Sequence, residues 1–164
     1  MSSLQNTLMT SFVCMNDSHI DQVFEIECKS YGYPWSKKIF TDCLKNNYLC
    51  KVLFLNNDII GYSISSIVQD ECHIMNLCVD AEFRGSGYGR LILRELHDVI
   101  KDMKCKIVFL ECRPTNSSAL RLYNSEGYNE IGIRKNYYPA PHGYEDAIMS
   151  DSYTHLTLPT KRIV

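Results

Sequence analysis

Residues Asn76–Arg90 read NLCVDAEFRGSGYGR. A short apolar run meets an acidic break at Asp80, and Gly85, Gly87 and Gly89 then alternate with Ser86 and Tyr88 before a long helical pattern begins. Glycine at every second position lets the backbone turn with positive φ and brings bare N–H groups within reach of a ligand. The helix that follows adds its unpaired first-turn donors and the positive end of its dipole. The stretch therefore predicts a phosphate cradle between a strand and a helix. A glycine-rich turn with no ligand is the other reading these residues allow.

Three kinds of phosphate-binding loop compete for it. The loop of nucleotide triphosphatases needs Lys and then Ser or Thr directly after its last glycine, but Gly89 is followed by Arg90 and Leu91. A dinucleotide fingerprint, G-x-G-x-x-G, would begin at Gly85 and require glycine at position 90, which is Arg90, although Glu111 could mimic its ribose-binding acid. The run Arg84-Gly85-Ser86-Gly87-Tyr88-Gly89 resembles the Arg/Gln-x-x-Gly-x-Gly/Ala signature of the GCN5-related N-acetyltransferase (GNAT) superfamily. In that family the loop holds the pyrophosphate of acetyl-coenzyme A.

Composition narrows the class. The chain has 164 residues, of which 45% are hydrophobic, enough for a single core and too few for a second domain. Lys plus Arg number 17 against 19 Asp plus Glu, and a net charge of -2 leaves no electrostatic footprint for nucleic acid or an anionic membrane. Apolar stretches fall short of the roughly 20 residues that span a bilayer, and the N-terminus lacks the pattern of an export signal. A soluble, cytoplasmic protein is expected. The 8 cysteines contain no C-x-x-C pair and fall mostly in apolar runs, as reduced core residues do, so no metal or disulfide framework is expected.

Along the chain, Leu8 to Met15 reads as a strand, and Asp17 or Ser18 caps a helix whose apolar positions are Ile20, Val23, Phe24 and Glu27/Cys28. Gly32 and Pro34 stop it, and Ser36 caps a second helix with the stripe Ile39, Phe40 and Leu44. Tyr48 to Leu55 and Ile59 to Val68 form a hairpin about Asn56-Asn57-Asp58, and Gln69-Asp70-Glu71 turns the chain into Cys72 to Val79. This meander departs from a dinucleotide domain, which begins with alternating strand and helix. After the glycine loop a helix buries Ile92, Leu96, Val99, Ile100 and Met103 and leaves Arg90, Arg94, His97, Asp98 and Lys101 solvated. Ile107 to Cys112 is a parallel strand reached by that helical crossover. Ser117 to Glu126, capped by Asn116 or Ser117 and ended by Gly127, is a last helix. Strands Tyr128 to Lys135 and Tyr144 to Met149 complete a mixed, mostly antiparallel central sheet with helices on both faces.

The stretch Phe109 to Asn116, FLECRPTN, followed by Ala119 to Tyr128, ALRLYNSEGY, closely resembles the second half of the GNAT core, with Asn-x-x-Ala-x-x-Leu-Tyr-x-x-x-Gly-Tyr at the family's spacing. The resemblance covers residues 72 to 130 and the outline of the rest. Pro34-Trp35-Ser36, Glu111, RKNYY at Arg134 to Tyr138 and Glu145-Asp146-Ala147 are similar to the RimI branch, whose members acetylate the N-terminal alanine of a small-subunit ribosomal protein.

Amine acetylation needs a deprotonated nucleophile, an oriented thioester and a proton for the departing thiolate. An α-amino group titrates at about 7.7 to 8.0, so a modest base suffices near neutral pH. The resemblance makes Glu111 that base and Tyr123 the general acid; read alone, Glu111 is a surface or salt-bridged carboxylate and Tyr123 fits a buried helical stripe with Leu120. It also implies that the backbone of Leu77, Cys78 and Val79 pairs with the pantetheine amides, that Arg84, Gly85, Ser86, Gly87, Tyr88, Gly89 and Arg90 hold the pyrophosphate, and that Asn116 bonds the cofactor. Gly85 departs from the branch, which often has a basic or polar residue there. Trp35, Tyr137, Tyr138, Glu145 and Asp146 are the candidates for a peptide groove, as rigid aromatic area and carboxylates suit a cationic N-terminus; core aromatics and surface charge are the alternative.

Ser152 to Thr160, SYTHLTLPT, resembles an in-frame adapter from transposon-based library preparation, so residues 151–164 are expected to be a non-native tail after a single domain of residues 1–150; a native last strand and tail is the alternative. The sequence thus predicts an acetyl-CoA-dependent transferase acting on a protein N-terminus by direct attack. A GNAT enzyme for small amines or lysine side chains, and a non-catalytic acyl-CoA-binding or complex-forming module, are the alternatives.

Overall fold

The computed structural model describes residues 8–154; of the expected tail, residues 151–164, Asp151 to Tyr153 belong instead to the last strand, and residues 155–164 lie outside the described residues. Strand β1 (Thr10–Cys14) pairs antiparallel with β2 (Leu49–Leu55), in register from Thr10↔Leu55 to Cys14↔Lys51. Asn16 ends β1 and starts a short 3-10 turn: its Oδ1 accepts from the backbone N–H of Ser18 at 2.9 Å, and its own N–H donates to Nδ1 of His19 at 3.1 Å. Helix α1 (Ile20–Ser30) continues from this turn, so the start signal is Asn16 rather than Asp17 or Ser18. It buries Ile20, Val23, Ile26 and Glu27, while Cys28 is exposed.

Helix α2 (Lys37–Lys45) begins at Ser36, whose Oγ accepts from the N–H of Ile39 at 3.4 Å. Its buried residues are Phe40 and Cys43, whereas Ile39, expected on the apolar stripe, turns outward and is 39% exposed. Then come the hairpin of β2 and β3 (Asp58–Val68), with Asn56 at φ 54° in its turn, and β4 (Glu71–Val79). Helix α3 (Tyr88–Asp102) crosses over to β5 (Ile107–Cys112), which runs parallel to β4 from Glu71↔Ile107 to Ile74↔Leu110. Helix α4 (Ser117–Ser125) is followed by Gly127 at φ 91°, the left-handed stop that a helix end favours. Strands β6 (Asn129–Ala140) and β7 (Gly143–Tyr153) close the described chain as an antiparallel pair, and β7 also lies antiparallel to β5.

The result is a mixed, mostly antiparallel seven-stranded sheet in the order β1-β2-β3-β4-β5-β7-β6. Both last strands run longer than expected. β6 is an edge strand, which is why it can hold Pro139, a residue with no N–H for a ladder. β7 continues past Met149, with Asp151 opposite both Phe109 and Asn129.

Two compact units share the chain: residues up to Ile64 with Asn76–Leu93, and Ser65–Met75 with the residues from Arg94 on. In the first, neighbouring residues of β2 face opposite sides. Val52 joins Met15, Val23, Phe40 and Tyr62 under α1 and α2, and Leu53 joins Ile60, Val79 and Ile92 under the start of α3. Helices therefore cover both faces of this part of the sheet. Gly61 makes the α3 side possible: a Cβ there would meet Cδ1 of Ile92 at 2.7 Å and the carbonyl oxygen of Cys78 at 2.8 Å. In the second unit, His97 is not a freely solvated residue, since it stacks on Tyr128 and its Nε2 lies 2.6 Å from the Tyr128 hydroxyl; burial lowers its proton affinity.

Candidate active site

The first unit carries the glycine loop. Asp80 follows β4 and accepts the N–H of Glu82 at 3.2 Å, and Arg84 folds its Nε back onto the carbonyl of Val79 at 2.9 Å. Gly85 and Gly87 adopt φ 79° and 88°, conformations that side chains rarely enter, and a Cβ on either would meet open space. Glycine is thus required there by backbone conformation rather than by crowding. Gly89 is different: it lies within the first turn of α3, which begins at Tyr88. Two glycines, not three, take the left-handed turn. Ser86 is exposed between them, and Arg90 follows on the helix. A loop of this kind running into the N-terminus of a 15-residue helix fits a diphosphate, whose oxygens need N–H donors and positive potential.

Leu77, Cys78 and Val79 form the end of β4, just before this loop, and the carbonyl of Leu77 accepts the Tyr31 hydroxyl at 3.4 Å. Beneath them lies a buried polar group that sequence reasoning placed only on a helical stripe. Glu27 is 1% exposed and accepts Nδ2–H of Asn76 at 2.7 Å and the hydroxyl of Tyr62 at 3.2 Å. Burial holds its carboxyl above the ordinary glutamate value, against the pull of these donors. Trp35, in the α1–α2 connection, is half-buried against Phe40, with ring centroids 5.4 Å apart.

The second unit carries the residues from which acid–base chemistry is expected. Glu111, in β5, has only 6% of its side chain exposed, and both its oxygens are engaged. Oε2 contacts Nε2 of His73 from β4, and Oε1 lies 3.1 Å from Nε of Arg134 in β6. Tyr137 and Tyr138 stand beside them, packed edge to face at 4.8 Å, and burial with the nearby Glu111 charge raises the Tyr137 phenol. Arg134 lies over the Tyr137 ring at 5.7 Å and Arg113 over the Tyr138 ring at 4.4 Å.

Glu145 and Asp146 belong to this neighbourhood but have partners within the protein. Glu145 accepts Nη1 of Arg113 and the hydroxyl of Thr115, each at 2.9 Å, and these donors hold its carboxyl below the usual range. Asp146 accepts the N–H of Asn136 at 2.9 Å, which also lowers its carboxyl, and pairs with Lys135 at 3.4 Å. Asn136 sits at φ 53° inside a bulge, where Arg134↔Ala147 is followed by Tyr138↔Glu145. Asp146 thus pins the bulge that presents Tyr137 and Tyr138. Asn116 is the N-cap of α4, its Oδ1 accepting the N–H of Ala119 at 3.2 Å, and Tyr123 is buried on α4 against Tyr128.

The structure therefore gathers Glu111, Tyr137, Tyr138 and Glu145 about one end of β5, and gathers the glycine loop about the end of β4. Sequence reasoning missed His73, Arg113 and the Glu27–Asn76–Tyr62 cluster. Strand alternation puts His73 on the face opposite the buried Cys72 and Ile74, which marks it as different from its neighbours. Its partner comes from another strand and leaves no local signal.

The acetyltransferase (GNAT) family model matches residues 20–128. The ribosomal protein bS18-alanine N-acetyltransferase of Salmonella typhimurium is 33% identical over 141 residues, covering 86% of this chain and 95% of the relative. That of Haemophilus influenzae is 38% identical over 138 residues, covering 81% and 91%. The crystal structure of the ribosomal-protein-S18-alanine N-acetyltransferase from Escherichia coli superposes with a TM-score of 0.85 at 31% identity, covering 92% of this chain and 97% of that one. GNAT acetyltransferases use acetyl-CoA as the acyl donor. With its strand–loop–helix cradle, its enclosed strand-end carboxylate and these relatives, the chain belongs to the GNAT acetyltransferases, in the branch of the RimI-type ribosomal-protein-alanine N-acetyltransferases.

Proposed function

We propose that this protein transfers acetyl from acetyl-CoA to the N-terminal α-amine of a protein, and that its substrate is the N-terminal alanine of the small-subunit ribosomal protein bS18. The observation that carries this reading is the 33% identity over 141 residues to relatives of that name, which covers 95% of their length. The chain works as one N-acetyltransferase domain in the cytoplasm, whose last strand runs through Tyr153 rather than ending at residue 150.

Bound acetyl-CoA supplies the thioester carbonyl that the amine attacks. The amides of Gly85 to Gly89 and the first turn of α3 hold the diphosphate, with Arg84, Ser86, Tyr88 and Arg90 around it. The backbone of Leu77, Cys78 and Val79 pairs with the pantetheine arm in the manner of an added strand, and Asn116 binds the cofactor from the cap of α4. Trp35, Tyr137 and Tyr138 bound the peptide groove, while Glu145 and Asp146, paired with Arg113 and Lys135, fix its shape. Glu111 supplies the base function that removes the amine's proton, by itself or through a neighbouring group, and Tyr123 protonates the departing thiolate. A positioned acid or base of this kind contributes about 10² to 10⁴ in rate. Transfer is direct: the Cys112 thiol beside Glu111 is pushed up to about 11 by burial, too high for a nucleophile at neutral pH.

Mass spectrometry of ribosomal proteins incubated with the enzyme and acetyl-CoA tests the reading. Acetylation of the bS18 N-terminal alanine is expected. Modification confined to lysine side chains or small amines would replace it with one of the alternative activities, and cofactor binding without turnover on any amine would leave a binding module.

A further inference from the structure

The proton acceptor of the reaction is open to a finer reading, which rests on the N-terminal acetyltransferase activity proposed above. Glu111 is poorly placed to collect a proton by itself. Its side chain is 6% exposed, and its two oxygens face His73 and Arg134. His73 is the reverse case: its side chain is 35% exposed, Nε2 is held by the carboxylate, and Nδ1 has no hydrogen-bond partner among the described residues. Imidazole is also the side chain whose charge changes between about pH 5 and 8, where an α-amine must be deprotonated.

We propose that His73 and Glu111 act as a dyad in which Nδ1 of His73 takes the proton of the peptide ammonium, while Glu111 orients the ring and stabilises the imidazolium. The groups facing this dyad are Arg134, Tyr137 and Tyr138 from β6, with Arg134 on the Glu111 oxygen that His73 does not contact. The first proton passes from the ammonium to Nδ1 and later to water. The freed nitrogen forms its bond to the thioester carbon as the C–S bond breaks, and the second proton of the nitrogen reaches the coenzyme A sulfur by way of the Tyr123 hydroxyl. Atoms and charge balance with no further reactant.

The test pairs kinetics with spectroscopy on the full chain. The pH profile of kcat/KM is measured with saturating acetyl-CoA and a peptide bearing the bS18 N-terminus, for wild type, His73→Gln and Glu111→Gln. His73→Gln is expected to lower kcat/KM near pH 7 by about 10²-fold, the lower end for loss of an acid–base group. The loss should shrink as pH rises and the amine deprotonates unaided. A residue that only supports the fold would lower the rate by one factor at every pH, and that result would overturn the dyad. Independently, NMR titration of the His73 ring should show its midpoint falling in Glu111→Gln; an unchanged midpoint also overturns it. If the wild type acetylates no free N-terminus, the activity reading fails, and the titration still decides whether the two residues are coupled. If Glu111→Gln is slow and His73→Gln keeps the wild-type profile, the dyad alone fails and Glu111 stands as the base.

Discussion

At the scale of single residues, Glu111 and Tyr123 carry the proposed chemistry from different surroundings. Glu111 is enclosed yet has a partner on each oxygen, His73 on one and Arg134 on the other, which fix it in place. Glu111→Gln preserves the shape and removes the charge. Turnover should fall by about 10² to 10⁴ with the acetyl-CoA dissociation constant unchanged, as measured by single-turnover kinetics beside calorimetry. Wild-type turnover in this variant at neutral pH would remove Glu111 from the mechanism. Tyr123 is buried against Tyr128. A phenol near pKa 10 donates to a thiolate near 8.5 only uphill, so its value lies in position. Tyr123→Phe keeps the ring packing and should slow coenzyme A release about tenfold or more in burst-phase measurements; unaltered release would make Tyr123 a packing residue.

At the scale of elements, local signals located most of the structure. Alternation, turn asparagines, and the caps at Ser36 and Asn116 are properties of a few adjacent residues, so the hairpin, α2, α4 and the Gly127 stop are legible. The β6–β7 hairpin is where this reading stopped short. Pro139 and the φ 53° at Asn136 look like loop chemistry, yet a bulge absorbs one and a sheet edge the other. The carboxylate that holds the bulge, Asp146, lies 10 positions away from Asn136 on the other strand. Asp146→Ala should release the bulge and displace Tyr137 and Tyr138. kcat/KM for peptide should fall by about tenfold or more, within the roughly 10²-fold that a 1 Å misplacement can cost, while KM for acetyl-CoA holds. Equal loss toward both substrates would mean general unfolding instead.

At the scale of the whole molecule, the least legible feature is Glu27, a carboxyl enclosed among apolar side chains. It ties α1 to β3 and β4 through Tyr62 and Asn76. Glu27→Ala would strand two buried donors, at a cost of about 3 kcal/mol in urea unfolding. Burial raises its carboxyl above the ordinary 4.5, so the folded protein keeps this proton to higher pH than the unfolded chain does. The corresponding stability is complete below the ordinary value and is lost as pH rises through the folded one. The gap between wild type and Glu27→Ala should therefore be widest in mild acid and narrow toward alkaline pH. A gap that widens with pH would show the carboxylate, not the acid, to be the stabilising form.

By itself the sequence determined the order of elements, the positive-φ glycines that begin the cradle, and the spacing of the Asn116–Tyr128 segment, because each follows from residues within a turn or two of one another. Tertiary structure alone decided which charges meet. His73 and Glu111 are 38 positions apart, and Arg134 comes from a third strand. Their meeting depends on the parallel register of β4 with β5 and on β7 lying between β5 and β6. Register is selected by burial of whole sheet faces, a sum over many side chains that no short stretch records.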